Sequence, residues 1–173
     1  MKILCVLDKY INALNLFFFR LGAFFTFCLI IFTLTSVLAR YLFQTSYVWF
    51  DELLWHFFGL GFLLAIAHTL KEDGHVRVDI LYNKFNPKVK AWVEICGIIF
   101  FMFPICYIII RYGYSYSYAS FQISEISDSP NGMPYRWVIK GAIPFGFVLL
   151  ALQGFSNIIK QIFILSQKAE TEK

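Results

Sequence analysis

Four long apolar stretches are the feature that most constrains how this chain folds. They cover residues 21–39, 53–70, 92–112 and 139–160. An α-helix rises about 1.5 Å per residue, so about 20 residues cross the ~30 Å hydrocarbon core of a bilayer. Backbone polar groups find no partners in lipid, which favours a helix in each stretch. The sequence therefore predicts an all-α integral membrane protein, with residues 1–173 forming one domain of four transmembrane helices.

Composition favours a membrane protein over a soluble domain. Of 173 residues, 59% are hydrophobic and 15% are charged, and the mean hydropathy is +0.65. Soluble domains average about 50% apolar and about 25% charged residues, and a chain of this size buries only about 70% of its surface. A soluble fold would leave too much apolar surface in water. The modest net charge of +4 gives no support for nucleic-acid binding.

The distribution of Lys and Arg predicts the orientation in the membrane. Eleven of the fifteen lie in the N-terminal segment, the loop between the second and third spans, and the C-terminal tail. Because cytoplasmic loops are enriched in Lys and Arg, we expect both termini and this loop in the cytoplasm. Apolar residues also recur at helical spacing at 3–14 and, more weakly, at 76–85. Both segments are candidates for amphipathic helices that lie flat at the membrane interface.

The middle of each predicted span, around Ile30, Leu60, Met102 and Leu150, contains no ionisable residue. Ionisable groups are costly to place in lipid and usually mark ion or substrate pathways. A carrier that works alone normally needs such a group. We therefore expect a protein that is not an enzyme, that has no catalytic residue, cofactor or metal site, and that supports transport without performing it.

Several polar residues have simple interpretations. His56 and His68 share one predicted helix while the other spans contain no histidine, so the facing ligand that a haem needs is missing. Asp51 and Glu52 open the second helix, where the helix dipole favours carboxylates by about 0.3–1 kcal/mol. Four tyrosines at alternate positions from 112 to 118 are expected to be interfacial anchors or a periplasmic docking patch.

Small residues cluster in the fourth span. Ala142 and Gly146 lie four residues apart, with Gly141, Ala151 and Gly154 nearby. Small side chains let helices approach closely where lipid supplies no hydrophobic driving force for their association. The pattern predicts a packing face, directed either inside the bundle or toward another protein.

Short motifs give the chain a resemblance to a known family. RYLF at 40–43 and WFDE at 49–52 resemble an R-Y-x-F … W-x-E-E pattern, and GHVRVD at 74–79 resembles G-H-I-R-V-D. GMPYRW at 132–137 and IPFG at 143–146 resemble an I-P-x-x-W … P-x-G ending. These patterns are typical of the small, Q-type (DctQ-like) membrane subunit of tripartite ATP-independent periplasmic (TRAP) transporters. The residues that carry the resemblance are Arg40, Tyr41, Trp49, Glu52, His75, Arg77, Asp79, Pro134, Trp137, Pro144 and Gly146.

The resemblance implies a role that the helices alone do not. In this family the small subunit is similar to a brace, which enlarges the fixed scaffold of a large membrane subunit that carries the substrate and sodium sites. The resemblance implies sodium-driven import of an organic acid, such as a sialic acid or a C4-dicarboxylate, across the bacterial inner membrane. The implied partners are the large subunit, a periplasmic substrate-binding protein and membrane lipids, with no nucleic acid.

The resemblance also suggests roles for the motif residues. Arg40 and Glu52 flank the outer hairpin, and we expect them to pair with each other or with the partner. His75, Arg77 and Asp79 are expected to fix the cytoplasmic loop against headgroups or the partner. The turn cluster after the third span and the tyrosines are candidates for contact with the binding protein.

Two other classes of four-helix membrane protein are alternatives. A channel-forming homo-oligomer would need a polar stripe, for which the fourth span offers only Gln153 and Asn157. A quinone-linked disulfide oxidoreductase would need reactive cysteine pairs in its outer loops. The predicted outer loops contain no cysteine, which argues against the enzyme.

Cysteine labelling tests the predicted orientation. In a variant whose four native cysteines are replaced by serine, Ser129→Cys should react with a membrane-impermeant maleimide in intact spheroplasts, because it lies in the outer turn cluster. Ser166→Cys, in the C-terminal tail, should react only after lysis. Labelling of the tail cysteine in intact spheroplasts would show that the predicted topology is wrong.

Overall fold

The computed structural model describes residues 2–72 and 85–171 and shows a bundle of long helices. In chain order these are α1 (Lys2–Phe43), α2 (Val48–Lys71), α3 (Pro87–Gly97), a π-helical turn (Ile98–Met102), α4 (Phe103–Gln122) and α5 (Trp137–Thr171). Helix α3, the π-helical turn and α4 follow each other without a break and form one continuous rod, which we call the third rod. The described residues contain no β-strand.

Four helical segments are long and apolar enough to cross a membrane. They are Val6–Phe43, Val48–Lys71, Lys88–Gln122 and Trp137–Ser166. Each contains one of the four stretches identified in the sequence. The prediction of an all-α membrane protein with four spanning helices is confirmed.

Three helices extend well beyond the predicted spans. Helix α5 continues from residue 160 to Thr171. The rod that ends in α4 continues from residue 112 to Gln122, so the four tyrosines are helical. Residues 3–14 do not form a separate helix that lies flat at the interface, because they continue α1 without a break. Polar contacts with α5, described below, hold this part of α1 against the bundle. The other amphipathic candidate, 76–85, lies outside the described residues except for Phe85.

Pro104 accounts for the π-helical turn in the third rod. A proline has no N–H to donate, and its ring crowds the carbonyl four residues earlier, here that of Phe100. A π-helical turn widens the backbone and relieves such crowding. In this turn the N–H of Phe103 bonds to the carbonyl of Ile98, five residues back. The rod therefore passes the proline without ending.

Helices α2 and α5 form the centre of the bundle. Helix α1 packs antiparallel to α2, α4 packs antiparallel to α5, and α2 and α5 run parallel to each other. Two small buried apolar clusters lie in the core, one where α2 meets α5 and one where α2, α4 and α5 meet. Their members are Leu64, Ala67 and Leu149 in one cluster and Leu70, Cys106 and Leu150 in the other.

Gly146 sets the closest approach of α5 to α2. A Cβ atom at this position would lie 2.7 Å from the backbone oxygen of Leu63 and 3.2 Å from its Cβ. Ala142, on the same side of α5, is buried as well. The small residues of the fourth span therefore point inside the bundle, where Gly146 faces α2 while Gly141 and Gly154 face α4 and the π-helical turn.

Helix α1 shows how the bundle satisfies polar groups in an apolar setting. Only 6% of its most apolar 18-residue stretch is buried inside the bundle. The hydroxyls of Thr26, Thr33 and Thr35 nevertheless donate to carbonyls four residues earlier, at 3.0, 2.7 and 2.9 Å. These polar side chains are therefore satisfied within the helix itself, as lipid requires.

Replacement of Gly146 by alanine tests the contact between α2 and α5. The new Cβ would meet a backbone oxygen that cannot rotate away, so we expect a destabilisation of about 1–3 kcal/mol. Gly97→Ala is the matched control, because a Cβ there meets no atom within 4 Å. The measurement is reversible unfolding in mixed micelles of mild detergent and dodecyl sulfate. Equal unfolding midpoints for the two variants would contradict the close approach.

Candidate functional site

Glu52 fastens the loop at residues 123–136 to the start of α2. We call it the outer loop, and we call the two ends of the bundle outer and inner, after the orientation that Lys and Arg predict. The hydroxyl of Ser127 donates a hydrogen bond to Oε1 of Glu52, and the backbone N–H of Met133 donates to Oε2 at 2.6 Å. Hydrogen bonds to an ionised carboxylate are about twice as strong as neutral ones. We call Glu52, Ser127 and Met133 the outer clamp.

The loop sequence shapes the donors of the outer clamp. Asn131 has a φ of 58°, in the left-handed region that asparagine tolerates in turns. The N–H of Gly132 donates to the carbonyl of Ser129 at 3.0 Å, and the N–H of Ser127 donates to that of Met133 at 3.1 Å. A Cβ at Gly132 would lie 2.4 Å from the Cβ of Ser127. Glycine at this position therefore allows the loop to close on itself and reach Glu52.

An ion pair fixes the two ends of the outer loop. The ammonium of Lys140, in the first turn of α5, contacts the carboxylate of Glu125, and the two side chains are only 12% and 24% exposed. The same ammonium lies 4.0 Å from the ring centroid of Tyr116, a cation–π distance. The hydrogen bond from Lys140 holds the pKa of the Glu125 carboxyl below its ordinary value. The charge at the start of the fourth span thus has a partner in the loop before it.

Arg40 does not pair with Glu52, which corrects one of the alternatives drawn from the resemblance. Its Nη2 lies 3.8 Å from Oδ1 of Asp51, and the hydroxyl of Ser36 donates to the same oxygen at 3.2 Å. Successive residues of a helix point about 100° apart. Asp51 therefore faces α1 while Glu52 faces the loop. The Arg40–Asp51 pair is an exposed one, and such pairs contribute at most about 1 kcal/mol.

Two motif aromatics pack against neighbouring rings near the outer ends of helices. Trp49 lies 5.5 Å from Phe50 between ring centroids, in an edge-to-face arrangement. Trp137 makes a similar contact with Phe121 at 5.2 Å. The carbonyl of Trp137 also accepts a hydrogen bond from the hydroxyl of Ser117 at 3.2 Å. Both tryptophans therefore have packing roles, and Trp49 also presents 44% of its surface outward.

The remaining motif residues divide into core, surface and undescribed positions. Pro144 is buried against Gly113, where a Cβ would lie 3.2 Å from the proline Cδ. Tyr41 and Pro134 are exposed. His75, Arg77 and Asp79, for which a role in the cytoplasmic loop is expected, lie outside the described residues.

A buried row of amides joins α1, α2 and α5 at the opposite end of the bundle. Asn15 donates from Nδ2 to Oε1 of Gln153 at 2.6 Å, and Gln153 donates from Nε2 to Oδ1 of Asn157 at 3.1 Å. Asn157 then donates to the carbonyl of Leu70 at 3.4 Å. Asn15 and Gln153 are completely buried. These contacts tie three helices together near the inner end of α2.

Three further residues extend this row toward the N-terminus. The hydroxyl of Ser156 donates to Oδ1 of Asp8, and Asn12 donates to the same carboxylate oxygen at 3.0 Å. Gln153 also reaches Oδ1 of Asn12 at 3.4 Å. We call the whole set the inner amide network, and its members are Asp8, Asn12, Asn15, Gln153, Ser156 and Asn157.

Sequence reasoning considered only Gln153 and Asn157 and missed the rest of the inner amide network. A signal was present, because positions 8, 12 and 15 share one helical face, as do 153, 156 and 157. Matching polar faces on two otherwise apolar helices predict that the faces meet, because each supplies the donors and acceptors that the other needs.

The two polar sites are structural in their chemistry. Among the described residues no group of three or more His, Cys, Asp or Glu side chains is placed to hold a metal ion. The outer clamp uses its carboxylate to hold backbone, and the inner amide network consists mainly of neutral donors and acceptors. The outer clamp contacts α2 at Glu52 and the inner amide network contacts it at Leu70. These two residues are about 27 Å apart along the helix.

Comparison with known proteins gives the family of the chain. A family model described as tripartite ATP-independent periplasmic transporters, DctQ component, matches residues 29–163, well over half of the chain. The chain belongs to this family. A search of curated proteins finds no match.

The DctQ match extends over most of the bundle. It includes the outer clamp, the Glu125–Lys140 pair and the α5 half of the inner amide network. Asp8, Asn12 and Asn15 lie before the matched residues. The DctQ family is a component of TRAP transporters, so the chain is a multi-pass membrane protein of a transport system.

Proteolysis tests the outer clamp. Arg136 is the only Lys or Arg between residues 112 and 139, so tryptic cleavage after it reports opening of the outer loop. Glu52→Gln keeps one acceptor oxygen and loses the charge, and a hydrogen bond to a charged group contributes about 1.5–3 kcal/mol. We expect about tenfold faster cleavage, because cleavage follows the open fraction. Asp51→Asn is the matched control, and equal rates for the two variants would contradict the clamp.

Proposed function

We propose that this chain is the bracing subunit of a sodium-driven TRAP transporter in the bacterial inner membrane. In this proposal it packs against the fixed part of a large membrane subunit, and that subunit moves the solute. The observation that carries the proposal is the apolar packing that fills the bundle between its two polar sites. The solute is an organic acid, with sialic acids and C4-dicarboxylates as the candidate classes.

The interior argues against a solute pathway through this chain. Between the outer clamp and the inner amide network, the meeting surfaces of α2 and α5 are occupied by Leu63, Leu64, Ala67 and Leu149, all of them buried. Moving an organic anion through such a core would strip its hydration without replacement. The two polar sites use hydrogen bonds to hold the chain together, such as those from Asn15 to Gln153 and from Ser127 to Glu52. A bundle of this kind suits a support.

The outside offers ample apolar surface for a membrane partner. Helix α1 exposes large side chains along most of its length, including Phe24, Phe27, Ile30 and Leu34, each about 60% exposed. Lipid tails and apolar helices of a larger subunit are equally good neighbours for such a surface. Helix α1 is therefore a candidate for the face that contacts the large subunit.

The outer end of the bundle supports a second contact, with the periplasmic binding protein. Tyr114 and Tyr118 stack at 6.0 Å on one exposed side of α4, whereas Tyr112, 71% exposed, lies about 200° around the helix from Tyr114. Tyr116 differs, because its ring packs under Lys140. Exposed tyrosines are common at protein interfaces. We propose that Tyr114, Tyr118 and the clamped outer loop form a platform for the binding protein.

Uptake measurements test the bracing role. Cells that produce the large subunit and the binding protein should take up the radiolabelled organic acid with sodium dependence only when this chain is also present. The chain alone, reconstituted in liposomes under an inward sodium gradient, should give no uptake above empty liposomes. Solute or ion flux through the chain alone would favour a channel-forming homo-oligomer and overturn the proposal.

Arg40→Ala tests the outer end of the proposed interface. The cation is exposed and its pair with Asp51 is long, so it is available to a carboxylate of the partner. We expect recovery of the large subunit with a tagged chain to fall by about fivefold, the upper limit for an exposed ion pair. Arg20→Ala is the control, because Arg20 is also an exposed cation of α1 but lies twenty residues before Arg40, toward the opposite end of the helix. Unchanged recovery and uptake in the Arg40 variant would remove this residue from the interface.

A further inference from the structure

A groove opens between α1 and α2 in the outer half of the bundle. It has a volume of about 630 Å³ and is lined by Leu29 of α1 and by Asp51, Leu54, Trp55 and Phe58 of α2. The four α2 residues share one helical face. Small-molecule sites usually measure about 300–1,000 Å³. We call this space the outer groove.

The mouth of the outer groove carries one negative and one positive group. Oδ1 of Asp51 accepts from Ser36 at 3.2 Å and lies 3.8 Å from Nη2 of Arg40. Within the described part of the chain, no hydrogen bond to Oδ2 of Asp51 is seen. The side chains of Arg40 and Asp51 are 59% and 43% exposed. Both charges are therefore available to a ligand.

The lining becomes apolar below the mouth. Phe58 lies seven residues after Asp51, which places it about 10 Å deeper along α2. Tyr47 and Trp49 are exposed at the level of the charges. Such amphipathic rings favour the boundary between headgroups and hydrocarbon. The outer groove thus has charged residues at its mouth, with amphipathic aromatic rings at the same level. Its deeper walls are aliphatic and aromatic.

We propose that the outer groove binds a phospholipid whose headgroup carries a primary amine. The ammonium pairs with Asp51, whose Oδ2 is available to accept. The phosphate pairs with Arg40, and one acyl chain lies along Leu54, Trp55 and Phe58. The assignment shares Arg40 with the proposed contact to the large subunit, but it is tested on the chain alone.

The charges select the headgroup. A zwitterionic amine headgroup supplies a partner for both mouth residues, because it carries one cation and one anion a few bonds apart. A phosphatidylglycerol headgroup has no cation for Asp51 and brings its anion close to that carboxylate. A quaternary amine is cationic but has no N–H to donate. A protein side chain of one charge would leave the other mouth residue unmatched.

Native mass spectrometry of the purified, delipidated full chain tests the proposal. The probes are phosphatidylethanolamine and phosphatidylglycerol with identical acyl chains, added in equal amounts. The wild type should bind more phosphatidylethanolamine. Asp51→Asn should lower that preference by about fivefold, the upper range for an exposed charge contact.

Groove-filling variants separate this site from general lipid adhesion. Leu29→Trp places an indole in the groove and should reduce phosphatidylethanolamine binding by about tenfold, because the larger ring occupies the space that the acyl chain needs beside Leu54 and Phe58. Ile30→Trp is the matched control, because Ile30 is the next residue, is 63% exposed and does not line the groove. Its lipid binding should equal that of the wild type.

A fluorescence measurement keeps the proposal testable if a variant folds poorly. Phosphatidylethanolamine with brominated acyl chains should quench the wild-type chain more than Trp55→Phe, because Trp55 lines the outer groove. Equal quenching of the two proteins would overturn the proposal. Equal binding of the two lipids, or of the Leu29 and Ile30 variants, would do the same.

The remaining possible result is that a protein, and not a lipid, occupies the outer groove. If assembly with the large subunit displaces the bound phosphatidylethanolamine, the outer groove is a seat for that subunit and the lipid assignment is wrong. Retention of the lipid in the assembled complex supports the assignment. Because lipid binding is measured on the chain alone, failure here leaves the uptake and co-purification results unaffected.

Discussion

The structure depends on one constraint, which is that hydrocarbon supplies no hydrogen bonds to an unpaired polar group. The threonines of α1 satisfy this constraint within one helix, because their hydroxyls bond to carbonyls of α1 itself. Polar side chains between helices answer it by bonding to one another. Asn15 and Gln153 meet for this reason, although 138 positions separate them in the chain. In lipid such contacts select which helices become neighbours and in which register.

The polar sites therefore work as fasteners at the two ends of an apolar interior. At the outer end, Glu52 and Lys140 hold a loop that would otherwise only connect two helices. At the inner end, the amide network joins α1 to α5 and reaches α2 at Leu70. Between them, Gly146 allows α5 to approach the backbone of α2. A bundle held at both ends by polar contacts and packed closely between them resists relative movement of its helices.

Hydropathy was sufficient to predict the four helices, because length and apolarity are properties of each segment alone. Helix ends were harder to predict. The third rod continues beyond Arg111 through alternating Tyr and Ser, where hydropathy gives no indication of a helix. Long-range partners were not predictable from composition, since nothing near Glu52 in the sequence identifies Met133 as its donor. The roles expected for His75, Arg77 and Asp79 stay predictions.

The length of α1 has a mechanical consequence. Its 42 residues make a rod of about 63 Å, whereas a bilayer with its headgroups measures only about 40–45 Å. The surplus lies at the N-terminal end, where Asp8 and Asn12 bond to Ser156 and Gln153 of α5. Neither helix can slide past the other without breaking those bonds. A thinner or thicker bilayer is then accommodated by tilting α1 and α5 together as one beam.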